Sequence, residues 1–238
     1  DMKFGIKCKK GGGAVSGLVV ANSGQFDGSN DWVEMPALGT YKQMTIDTWI
    51  KFKSVRGNHP IINEDAWRAG SLHYQIYNSQ FGIDVNGIGD KTFKWQPKAM
   101  TWYFISVAYD SVAGQIKLSI NNKAIETISM RKGRTIVMNK ARIGAWRSNG
   151  ARSLHGAIYA LRIWTKVTDG KDLCANAGTS GLLVNYFFDK ATIGKDLSGN
   201  NHHCTPNDVT WSKTPDLPTD PKPSTCAGGG GKKAIELI

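Results

Sequence analysis

Strict alternation of apolar and polar residues constrains this chain most. Met44, Ile46, Thr48, Ile50 and Phe52 alternate with Thr45, Asp47, Trp49 and Lys51, setting a largely apolar face against a polar face that carries a tryptophan. A period of two is the side-chain repeat of a β-strand. Ile116, Leu118 and Ile120 alternate in the same way with Lys117, Ser119 and Asn121, and the Asn121-Asn122 pair, tolerant of positive φ, predicts a tight hairpin into residues 124–128. Further strands are predicted over residues 32–35, 72–77, 81–85, 102–109, 141–145, 157–164 and 182–188, each rich in β-branched or aromatic side chains. No window carries a sustained helical stripe, and glycines fall between the runs. The fold class is therefore all-β, an antiparallel sandwich of short strands, with Ile46, Ile50, Val107, Leu118, Ile120 and Leu161 in its core.

At 238 residues, 40% hydrophobic, the chain has enough apolar material for one core of native size. Residues 1–13 are basic, end in Gly11-Gly12-Gly13 and read as an arm; the body runs over 14–211; residues 212–238 form a tail. Five of the eight prolines lie between Pro206 and Pro223, which makes the tail's start an extended linker. After Cys226 and a glycine run, the apolar end Ala234-Ile235-Glu236-Leu237-Ile238 is suited to contacting a protein partner. The longest apolar runs are far below the roughly 20 residues of a membrane-spanning helix. No signal peptide is visible, so the protein either stays inside the cell or is already processed. Cys8, Cys174, Cys204 and Cys226 contain no C-x-x-C pair, which favours disulfides over zinc and places the chain outside the cell or in the secretory lumen. Three pairings are possible. Cys174 with Cys204 and Cys8 with Cys226 is preferred. N-glycans are not expected, because no Asn-x-Ser/Thr sequon occurs.

Charge is the sharpest local feature. Between Thr127 and Ile158 stand Arg131, Lys132, Arg134, Lys140, Arg142, Arg147 and Arg152 with no acid among them, which supplies seven of the net eleven positive charges. Trp146 adjoins Arg147, and Trp67 with Arg68 belongs to a second aromatic and polar cluster that includes His59, His73 and Tyr74, in and after a long loop. Indole faces stack on sugar rings, and guanidinium forks bind carboxylate or sulfate in pairs. The plainer readings are a solvated basic face and packing beneath a loop. Nucleic acid is the weaker partner, since no recognised module for it is present.

The run Gly24-Gln25-Phe26-Asp27-Gly28-Ser29-Asn30-Asp31-Trp32-Val33-Glu34-Met35-Pro36, followed by Met44-Thr45-Ile46-Asp47-Thr48-Trp49-Ile50-Lys51, resembles the opening of laminin G-like domains, members of the concanavalin A-like lectin and glucanase superfamily. In the same order, residues 102–110, 114–122, 142–144, 155–164, 181–189 and 196–201 resemble later strands and loops of that family. The resemblance covers about residues 14–211 and implies a jelly roll. It also implies a calcium ion at the sandwich rim, for which Asp27, Asn30, Asp31, Asp189, Asp196 and Asn200 are the oxygen donors at hand. Their plainer role is to close turns on their own backbone. Many relatives carry an acid where this chain has Tyr159. His202-His203-Cys204 reads as a turn rather than a transition-metal site. The Glu, Asp and Glu spacing of the glucanases is absent: Asp47 is flanked at alternate positions by Thr45 and Trp49, Asp84 by Gly82 and Asn86, and Glu64 and Asp65 are adjacent. The expected function is a non-catalytic, lectin-like module for carbohydrate or glycosylated matrix, with anionic glycan favoured by the charge. The alternatives are a structural or adhesion subunit of an extracellular assembly and a glycan-active enzyme.

Overall fold

The computed structural model describes residues 21–147, 151–171 and 180–214. Every paired strand in it is antiparallel. One sheet holds β1 (Ala21–Asp27), β4 (Gln43–Phe52), β9 (Trp102–Asp110), β10 (Gln115–Ile120), β11 (Lys123–Ser129), β14 (His155–Trp164), β15 (Leu182–Phe187) and β17 (Thr210–Thr214). They run in the order β11-β10-β9-β4-β14-β1-β17, with β15 pairing to β14. The other sheet has the order β16-β2-β13-β5-β6-β7-β8, built from β2 (Trp32–Glu34), β5 (His59–Glu64), β6 (Leu72–Tyr77), β7 (Gln80–Val85), β8 (Gly89–Thr92), β13 (Ala141–Ile143) and β16 (Thr205–Asn207). A small ribbon pairs β3 (Gly39–Tyr41) with β12 (Ile136–Met138). No helix of the described residues is long and apolar enough to cross a membrane.

The sandwich closes where alternation said it would. Ile46, Ile50, Val107, Leu118, Ile120 and Leu161 all lie in one buried cluster between the sheets. At the hairpin after β10, Asn121 and Asn122 take φ of 49° and 67°, which a two-residue turn with the right-handed strand twist requires. β14 contains a bulge at Tyr159. Tyr159 and Ala160 consequently share the outer face, and Ile158, Leu161 and Ile163 all point inward despite their uneven spacing.

The polar faces differ from the simple reading. Trp49 is fully buried in a second cluster on the far side of the larger sheet, with Trp102, Phe104, Ala157, Tyr159, Ala160 and Trp164. There the Trp164 indole donates to Asp47 Oδ2 at 2.8 Å. The long loop expected around His59 contains a strand, β5, whose six residues are all buried. Cys204 is a buried free thiol in this structure, and its expected partner Cys174 lies outside the described residues. Burial, with the nearby Asp196 carboxylate, pushes that thiol up to about 12. Cys8, Cys174 and Cys226, like the basic arm and most of the tail, lie outside the described residues.

Candidate functional site

The basic run is divided among three places. Arg131, Lys132 and Arg134 occupy the turn between β11 and β12, which packs on the β9–β10 connection through Met130 N to Gly114 O and Gly133 N to Ser111 O, both at 2.9 Å. Lys140 and Arg142 flank β13's start and meet acids instead of solvent. Arg142 is 3% exposed and donates from Nε to Glu34 Oε2 at 2.8 Å and from Nη1 to Asp65 Oδ1 at 2.6 Å. Lys140 reaches Asp65 at 3.6 Å. Burial acts to raise the Asp65 carboxyl, but hydrogen bonding and charge from Arg142, then Lys140, hold it below its ordinary range. Arg142 therefore does not belong to an anion-binding surface: a charge taken out of water must be answered inside the protein.

Trp146, Arg147 and Arg152 form the third group, and the backbone explains their meeting. Gly144 has φ of +85°, and a Cβ there would lie 2.4 Å from the Phe26 ring, so only glycine lets the chain turn out of β13 at this point. The turned segment closes on itself through Trp146 N to Arg152 O at 3.2 Å and Leu154 N to Gly144 O at 2.7 Å. Arg147 then lies 4.1 Å and Arg152 4.2 Å from the Trp146 ring centroid. Arg152 also reaches Tyr77, at 4.8 Å.

The two clusters separated in sequence join here. Trp67, 58% exposed after β5, stacks on His73 with centroids 4.7 Å apart, and His73 meets Trp146 edge-on at 6.3 Å. On β6, His73, Gln75 and Tyr77 share the outward face because Leu72, Tyr74 and Ile76 fill the core. Beneath them Asn63 Nδ2 donates to Gln75 Oε1 at 2.8 Å. Trp67, His73, Trp146, Arg152 and Tyr77 thus form a continuous aromatic and cationic face on the smaller sheet. With two guanidinium groups against its ring, Trp146 serves as a seat for the arginines. Trp67, which lies over the fully buried His73 and keeps its other side in solvent, is the platform left for a sugar. Arg68 turns to Glu64 at 3.9 Å, and Tyr74 is core. Tyr77 escaped the sequence reading, although its alternation with His73 and Gln75 was the signal that carried it.

The rim carboxylates do not assemble into a calcium site. Asp27 Oδ1 accepts the Ser29 amide at 2.7 Å, Asp31 Oδ2 that of Asp27 at 2.6 Å, and Asn30 donates to Asp208 at 2.9 Å. Asp189 accepts the amides of Ala191 and Thr192, while Asp196 accepts those of Asn185, Ser198 and His202. Asn200 donates to the carbonyls of Leu182 and Leu183. Among the described residues no three His, Cys, Asp or Glu converge as a metal would require. These oxygens hold turns, and the donor set does not fit one shared ion.

A family model described as the concanavalin A-like lectin/glucanases superfamily, Laminin_G_3, matches residues 27–174. The chain belongs to this family. Among solved structures, a Bacteroides ovatus protein provisionally named as carbohydrate binding superposes with a TM-score of 0.65 at 16% identity, covering 82% of this chain and 60% of its own. The chain therefore spans less than two thirds of that protein. The heptameric SAP-like pentraxin of Limulus polyphemus gives 0.51 at 17% identity over 66% of this chain and 81% of its own. The CBM40 of the Ruminococcus gnavus IT-sialidase, solved with α2,3-sialyllactose, gives 0.50 at 13% over 63% and 93%. At such identities the likeness is one of fold. No curated protein matches the chain.

Proposed function

We propose that this laminin G-like domain is a non-catalytic, lectin-like module that binds carbohydrate outside the cell, with a preference for anionic glycans. One observation carries the reading: the continuous face of Trp67, His73, Trp146, Arg152 and Tyr77, in which an exposed indole adjoins guanidinium groups held in place by aromatic rings. An indole offers a flat apolar surface to a sugar's C–H face, and fixed guanidinium groups answer its charges. Two carboxylates beside this face are committed to the fold, which agrees with a binding role. Glu64 is fully buried and accepts the amides of Asn139 and Lys140, and Asp65 is paired with Arg142. The Bacteroides and Ruminococcus proteins with this fold are named for carbohydrate binding, which agrees with the reading.

A glycan array probed with the chain and with Trp67→Ala tests it. Saturable binding to defined saccharides, reduced at least tenfold by Trp67→Ala at unchanged Tm, is expected. A blank array with tight co-purification of a protein would replace the reading with a structural subunit of an assembly.

A further inference from the structure

One hollow is lined by Tyr77 and a second opens beside Arg152, and the two differ in their balance of charge. The smaller, about 150 Å³, has Gln75, Asp84, Asp90 and Lys91 among its lining residues and so carries two carboxylates to one ammonium. The larger, about 500 Å³ and open to solvent, lies where the β4–β5 connection meets the start of β14. Its walls include Asp27, Arg56, Asn58, His59, Arg152 and His155.

Most acceptors of the larger cleft are engaged, with one oxygen of the exposed Asp27 carboxylate left over. Asn58 Oδ1 takes the Asn78 amide at 2.8 Å, and Asp27 Oδ1 takes that of Ser29 at 2.7 Å. His59 is used at both nitrogens: Nδ1 accepts the His155 amide at 3.3 Å, so Nε2 carries the proton and donates to Arg56 O at 2.8 Å. What else remains on the walls is donors. The guanidinium groups of Arg56 and Arg152, Nδ2 of Asn58 and the imidazole of His155 have no hydrogen-bond partner among the described residues. A cleft with two guanidinium groups and further free donors against one carboxylate is complementary to a ligand that brings acceptor oxygens.

Arg152 adds a second, independent sign. Its φ is +115°, a region that long side chains rarely enter, and the strained backbone holds its guanidinium over Tyr77 and Trp146 at the edge of the cleft. A cation already fixed in place loses little conformational freedom on binding.

We infer that this cleft is an anion-recognising subsite, taking the carboxylate or sulfate group of a sugar that lies on the adjoining Tyr77 face. The inference rests on the carbohydrate-binding reading for its sugar, and on the cleft's own donors for its anion. Glucuronate and N-acetylglucosamine 6-sulfate, titrated against their neutral parents glucose and N-acetylglucosamine, separate the two sources of charge. The readouts are affinity and the NMR shift of the His155 ring. The expected result is at least tenfold tighter binding of one charged sugar than of its parent, with a saturable His155 shift. Arg56→Gln should reduce that affinity to the parent's without moving Tm, whereas Lys53→Gln, a neighbouring exposed lysine outside the cleft, should leave it unchanged. Binding with no preference for charge, or unaffected by Arg56→Gln, overturns the subsite and leaves the carbohydrate reading standing. If no saccharide binds, that reading falls, and inorganic sulfate decides the subsite: a His155 shift lost in Arg56→Gln supports it, and no shift overturns it.

Discussion

Arg142 is buried between two carboxylates, and its charge is tolerable there because Glu34 and Asp65 answer it. Truncating one member of a buried ion pair strands the others, at about 3–5 kcal/mol. Both acids are roughly a third exposed, so water takes up part of the loss. Arg142→Met should therefore cost about 2–4 kcal/mol in urea unfolding while leaving glycan affinity intact. Asp31 works in the other direction. Burial raises its carboxyl above the ordinary 3.8, the Asp27 amide pulls it down, and repulsion from Asp27 and Asp208 raises it again, for a net rise. A folded-state value above the unfolded one means that its contribution to stability is full below pH 3.8 and is lost as pH rises through the raised value. Asp31→Asn keeps an acceptor for the Asp27 amide and removes the charge. Thermal melts should show a higher Tm than wild type at pH 7, with the gap closing below pH 3.8. Cys204 makes a third residue-level case: burial withholds its thiolate, so iodoacetamide at pH 8 should label it only after denaturation, as site-resolved mass spectrometry would show.

At the scale of elements, the segment from Gly144 to Leu154 decides whether a site exists. The positive φ of Gly144 takes the chain out of β13, and the Phe26 ring fills the space a side chain would need. Gly144→Ala should cost about 2–4 kcal/mol from backbone strain and overpacking. Any folded remainder should lose glycan binding, since the Trp146–Arg152 pairing is re-aimed; intrinsic tryptophan fluorescence and the array would report both. The bulge of β14 has the corresponding role for the core, because it restores the inward face after Tyr159. Both departures from regular geometry occur where the sequence breaks period two. Alternation correctly located the strands on either side, but it carries no record of how a chain leaves one sheet or skips a residue within another.

For the whole molecule, a net charge of +11 attracts any polyanion, so retention on a heparin-like column cannot by itself report a site. A charge-matched pair of double variants can. Arg131→Glu with Lys132→Glu and Arg147→Glu with Arg152→Glu each change the net charge by the same amount. Only the second pair should abolish retention at 0.1 M salt, and wild-type retention should weaken steadily toward 1 M as the Debye length falls from about 10 Å to about 3 Å. Equal loss in the two would mean that long-range attraction suffices. The sequence by itself determined the all-β class, the core residues, the Asn-Asn hairpin and the family, because period two, turn chemistry and short motifs are properties of neighbouring residues. Seven consecutive cations looked like one surface because sequence records proximity along the chain. Only the tertiary structure could bury Arg142 between Glu34 and Asp65, leave Arg131 on a distant turn, and bring Trp67 and Tyr77 to Trp146 and Arg152. Those partners come from strands far apart in the chain, and which of them meet depends on the strand order of two sheets, a long-range choice that no local pattern encodes.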